Sequence, residues 1–95
     1  MTDPTLLILA SLADGDKHGY AMMEDIDGFA GVSLGPGTLY GAITRLEEKG
    51  WIRPVRSTDR RQPYTITAAG RRHLAEQLGS LGRFLSVGRA RLESA

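Results

Sequence analysis

Three arginines stand where a guanidinium could grip a polyanion: Arg45 in a helix-forming run, and Arg60 with Arg61 in a polar loop. A guanidinium presents five donors in a planar fork that matches phosphate and carboxylate oxygens. Around Arg45, the run from Gly35 to Gly50 carries Gly37, Thr38, Tyr40, Gly41 and Thr44, and holds its acids back to Glu47 and Glu48. A helix with an acid-free, finely surfaced leading end can approach a negatively charged groove closely. Arg45 would suit guanine O6 and N7, and Thr38 or Thr44 a thymine methyl or a phosphate. The N–H groups of Gly37 and Thr38 open that helix, where an anion is favoured. Arg60 and Arg61 suit phosphate or a minor groove, and His18 suits a backbone phosphate. Plainer alternatives stand beside these readings. The helix face could simply be solvated, the loop arginines could pair with Asp59, His18 could cap a turn, and Tyr40 could pack inward.

The elements that must hold these groups follow from local signals. Pro36 needs no N–H at the first position of a helix. Gly50 supplies the left-handed residue that ends it, and Trp51 can fold back on Leu46. Between them, Leu39, Ala42, Ile43 and Leu46 form one buried stripe. Upstream, Pro4 to Ala13 is a helix apolar on almost every side, so it is central or shared with a second subunit. Asp14 to Lys17 reads as a turn. A second helix runs from about His18 or Gly19 to Phe29 and is expected to bury Tyr20, Met23, Ile26 and Phe29 or Ala30. Gly28 to Gly35 connects it to the marked helix.

After Gly50 the period changes. Ile52–Arg56 and Tyr64–Ile66 read as strands flanking Ser57 to Pro63, a β-hairpin with an arginine-bearing tip. Pro54 confines the first strand to an edge or a bulge. Thr67 has the side chain of an N-cap for a helix from Ala68 to about Glu93, whose first turn Gly70 is expected to weaken. Leu74, Leu78, Leu81 and Leu85, continued by Gly88 and Leu92, make a heptad-like seam with Phe84 beside it. Gly79, Gly82 and Gly88 each lower its helicity by about 1 kcal/mol, so this helix should pack on a partner.

Composition narrows the function classes. At 95 residues the chain is one small compact unit, read here as a winged-helix portion, residues 1–67, and a dimerisation helix, residues 68–95. Residues 1–50 carry three basic side chains against eight acids, a net −5; residues 51–95 carry nine arginines against three acids, a net +6. With no cysteine and two histidines in different elements, no metal site or cofactor is expected. No nucleophile–base arrangement or phosphate-cradling glycine loop points to an enzyme. The longest apolar run, Leu6 to Ala10, is far too short to span a membrane. A soluble cytoplasmic protein is expected.

The order of elements implies a mainly α fold with a small β-hairpin: a winged helix-turn-helix with a C-terminal dimerisation helix. At this point the sequence resembles the PadR family of bacterial transcriptional regulators. The resemblance rests on Leu6–Leu12, His18-Gly19-Tyr20, Pro36-Gly37-Thr38-Leu39-Tyr40 and Arg45-Leu46-Glu47-Glu48-Lys49-Gly50-Trp51-Ile52. It continues through Asp59-Arg60-Arg61, Pro63-Tyr64 and Thr67-Ala68-Ala69-Gly70. Gly41 departs from it, since the family commonly has proline or another non-glycine residue there. The resemblance implies a homodimeric repressor on a pseudo-palindromic DNA operator. Leu74, Leu78, Leu81, Phe84 and Leu85 would form the dimer face and line a cavity for a small aromatic or lipophilic effector. Two other readings stay open: a winged-helix protein-interaction module, and a protein whose main task is small-molecule binding at the terminal helices.

Overall fold

The computed structural model describes residues 3–94, four helices and three short strands. The first helix, α1 (Pro4–Leu12), is capped by the Asp3 carboxylate, which accepts the Thr5 N–H at 2.9 Å. Strand β1 (Lys17–His18) leads directly into α2 (Gly19–Ala30), and α3 (Pro36–Glu48) follows a short connection. Strands β2 (Ile52–Pro54) and β3 (Pro63–Ile66) form the hairpin, and α4 (Ala68–Ser94) closes the described chain.

The core lies where α1 meets α2, α3 and the first turns of α4. Ile8, Leu9, Met22, Ile26, Leu39 and Leu46 have essentially no exposed surface. Burying each of these large side chains contributes about 1.5–3 kcal/mol. The α3 stripe is buried as its spacing predicts: Leu39, Ala42, Ile43 and Leu46 all face inward. Its end is a Schellman motif, with the Trp51 N–H on the Leu46 carbonyl and the Gly50 N–H on the Glu47 carbonyl, both at 3.0 Å. Gly50 sits at φ +75°, a conformation that glycine adopts without a Cβ penalty. That turn carries the chain straight from α3 into β2.

The hairpin is wider than its sequence suggests. The sheet has three strands in the order β1-β3-β2, with Lys17 opposite Tyr64 and His18 opposite Pro63. Residues 17 and 18 carry no readable period, and their pairing partners lie far along the chain. Pro54 is on edge strand β2, where its missing N–H costs no ladder bond.

Two packing expectations are corrected. The buried face of α2 is Gly19, Met22 and Ile26, whereas Tyr20 and Phe29 are 62% and 53% exposed. Ala30 is exposed too, and Met23 is only half-buried. Two adjacent stripes share Ile26, and close packing of Gly19 on α3 selects the one without the aromatics. Gly70 is no weak point either. A Cβ there would collide with the Trp51 carbonyl and come within 2.9 Å of Ile66 Cγ1. Its bare backbone lets α4 dock on the α3–β2 turn, while Thr67 caps the helix by accepting the Gly70 N–H at 3.0 Å.

Candidate nucleic-acid interface

The outer face of α3 is open. Gly37, Thr38, Thr44 and Arg45 are exposed, Gly41 is half-buried, and no acid occupies the first turn. The Thr44 hydroxyl donates to the Tyr40 carbonyl at 3.0 Å, so its proton is used within the helix. Arg45 lies back along the helix: a Cβ on Gly41 would sit 3.7 Å from its Nη1, an ordinary contact. Arg45 also borders a cleft of about 290 Å³ that includes Asp3, Lys49, Trp51 and His73. There the Trp51 and His73 rings stack at 3.7 Å, and Lys49 Nζ stands 5.3 Å from the Trp51 centroid.

At the hairpin tip, hydrogen bonds set the loop. The Ser57 hydroxyl accepts the Asp59 N–H at 3.1 Å, and the Asp59 carboxylate accepts the Arg61 N–H at 3.4 Å. The Gln62 amide donates to the carbonyls of Val55 and Pro63, closing the base of the loop. Asp59 therefore engages the backbone of Arg61 and leaves its guanidinium free to turn elsewhere. That guanidinium reaches His18, with Nη1 3.2 Å from Nε2. Arg60 is exposed.

His18 is the N-cap of α2, as the plainer reading of the sequence has it: its Nδ1 accepts the Ala21 N–H at 3.3 Å. Next to it, Gly19 lies under Tyr40, whose Cζ would stand 2.9 Å from a Cβ at that position. Tyr40 thus neither enters the core nor stands free. Half its surface is exposed, and the rest covers the start of α2. The contacts run from Arg61 to His18, to Gly19, to Tyr40, joining hairpin, α2 and α3 in one surface. Sequence reasoning missed Gly19 and β1 as parts of this arrangement, although the His18-Gly19-Tyr20 run was a visible signal.

Nearby charges are arranged locally. Lys17 donates to the Asp14 carboxylate at 2.6 Å and to the Ser11 carbonyl, tying the turn to α1. The hydrogen bond and positive charge of Lys17 hold the Asp14 carboxyl below its ordinary value. Burial, and then the negative charge of Glu47, push the Tyr64 phenol upward.

The residues expected to pair subunits separate into two groups. Leu74 is buried within the chain, whereas Leu78, Leu81, Phe84 and Leu85 are exposed. Leu78 and Leu81 join Leu6, Ala10, Phe29 and Leu74 around an apolar groove of about 390 Å³. No helix of the described residues is long and apolar enough to cross a membrane.

Known proteins share this architecture and sequence. A PadR family transcription regulator from Clostridium difficile superposes with a TM-score of 0.84 at 24% identity, over 94% of this chain and 97% of that one. A transcriptional regulator from Clostridium thermocellum gives 0.79 at 26% identity, over 88% and 84%. Bacillus subtilis PadR, solved in complex with operator DNA, gives 0.68 at 24% identity, over 78% and 45%. An uncharacterised 37.1 kDa protein in a Streptomyces fradiae transposon is 44% identical over 81 residues, 85% of this chain. This chain spans about a quarter of that relative, 24% of its length. The sequence matches the family described as "Transcriptional regulator PadR-like family" over residues 8–76. The protein therefore belongs to the PadR-like family of transcriptional regulators.

Proposed function

We propose that this protein is a homodimeric, sequence-specific DNA-binding repressor released by a small aromatic or lipophilic effector. The contact chain from Arg61 through His18 and Gly19 to Tyr40 carries this reading, because it sets hairpin and α3 on one side of the molecule. In a winged helix, those two elements address the major groove and the adjacent backbone or minor groove. Bacillus subtilis PadR, which shares the fold, was solved on its operator. Arg45, Thr38 and Thr44 would discriminate bases, while Arg60 and Arg61 neutralise phosphates. Thr44, with its proton engaged, suits a thymine methyl better than an acceptor.

The exposed row Leu78, Leu81, Phe84 and Leu85 supports pairing with a second copy. A dimer would present two α3 helices about 34 Å apart to a pseudo-palindrome. The apolar groove beside that row would take an effector, and repression follows from occupying a promoter. This reading places the protein in the cytoplasm with the chromosome.

Selection of bound duplexes from a random pool tests it. The expected product is a two-fold-symmetric site whose affinity falls with log salt at a slope of about −0.9 per neutralised phosphate. Equal affinity for the selected duplex and a scrambled one would refute specific recognition. Salt-insensitive behaviour with no complex would favour a protein-interaction module.

A further inference from the structure

The ring of His18 faces two hydrogen-bond donors from opposite sides. Its Nδ1 accepts the Ala21 N–H at 3.3 Å, and its Nε2 stands 3.2 Å from Arg61 Nη1. A neutral imidazole has one lone pair and one N–H to offer, and guanidinium never accepts. The backbone N–H of Ala21 is fixed at the first turn of α2, so capping claims the lone pair at Nδ1 and leaves the proton on Nε2. With that tautomer, Nε2–H and Arg61 Nη1–H are two donors 3.2 Å apart, and neither can accept from the other. An oxyanion supplies an acceptor. An oxygen about 2.8 Å from each nitrogen, the usual length of a charge-assisted bond, closes a triangle whose base is the observed 3.2 Å.

We infer that His18 and Arg61 form a single two-donor site for one phosphate oxyanion, with the α2 cap fixing the histidine as donor. The inference rests on the DNA-binding reading for its natural ligand, a backbone phosphate of the duplex, although the donor chemistry would also accept free phosphate. It changes the role of both residues. The hairpin arginine and the start of α2 grip the same phosphate, so the wing is locked to α2 when DNA is bound. Lys17, the neighbouring cation on β1, is held by Asp14 and the Ser11 carbonyl. Asp59, the acid at the tip, is engaged by the Arg61 backbone N–H.

The test uses His18→Asn, which keeps a capping oxygen for Ala21 but has no donor at the Nε2 position, together with Arg61→Ala and the double variant. Affinity for the selected duplex is measured by fluorescence anisotropy, with single methylphosphonate substitutions scanned along the backbone. Each single variant is expected to lose about 3- to 10-fold, the span of one hydrogen bond. The double variant should lose less than the product of the two. One and the same substituted phosphate should bring the parent down to the variants and leave both variants unaffected. Multiplicative losses, or sensitivity to two different phosphates, would overturn the inference while leaving DNA recognition intact. A second arm needs no DNA: ring-nitrogen NMR of the free protein titrated with inorganic phosphate. His18 is expected as the Nε2–H tautomer, and its Nε2–H and the Arg61 guanidinium should shift together, with each response lost in the other residue's variant. That result without any duplex binding would keep the site and reject the DNA reading. An Nδ1–H tautomer, or independent shifts, would reject the site.

Discussion

Arg45 and Arg60 are both exposed guanidiniums, yet their removal should have different consequences. Arg45 lies along α3 beside Gly41, so Arg45→Ala is expected to cost about 1–3 kcal/mol at one base position and relax specificity there. Arg60 extends from a hairpin tip, so Arg60→Ala should weaken all duplexes alike and leave the ratio of selected to scrambled affinity unchanged. Competition binding against single-base variants of the selected site reads both outcomes. Asp14 gives a prediction in pH. Its folded-state value lies below the ordinary 3.8 because of Lys17, so its contribution is present near neutrality and is lost as pH falls through the folded value. Thermal melts between about pH 5 and about pH 2 should therefore decline less steeply for Asp14→Asn. At this scale the sequence shows which side chains can donate to an anion, because residue type alone sets donor capacity. It does not show that Arg61 turns to His18, a contact across 43 residues of chain.

The elements differ in how far local signals determined them. Both ends of α3 were readable, since proline at the first turn and glycine after the last act on their own neighbours. The buried stripe of α2 was not, because two adjacent stripes share Ile26 and the choice falls to the packing of Gly19 under Tyr40. Glycine in α4 shows the same division. Gly70→Ala, which drives a Cβ into the Trp51 carbonyl, is expected to destabilise the fold by about 1–3 kcal/mol. Gly82 has open space around it, so Gly82→Ala should stabilise α4 by about 1 kcal/mol through helix propensity. Urea denaturation of the two variants beside the parent checks both signs.

At the scale of the whole molecule, α4 carries an apolar row that is largely exposed. Leu85 is 54% and Phe84 73% exposed, next to a groove that reaches α1 and the end of α2. Leu85→Glu would place a carboxylate in the proposed seam between subunits. Sedimentation at micromolar concentration should then show monomer where the parent shows dimer, and the variant's DNA affinity should fall with it. Phe29 lines the groove and lies outside the exposed row of α4, so Phe29→Ala should keep the dimer while reducing the thermal shift produced by an aromatic effector. A parent that sediments as a folded monomer would remove the two-fold reading altogether. The sequence by itself determined the winged-helix order, the two ends and inner face of α3, the confinement of Pro54 to an edge or a bulge, and the arginine-bearing tip. Caps, turns and hydrophobic periods are properties of residues a few positions apart. Only the tertiary structure decided that β1 joins the hairpin as a third strand, that Gly70 is a docking point, and that His18, Arg61 and Tyr40 share one surface. Those outcomes depend on which distant segments close on one another, and close packing settles that once all the elements are in place.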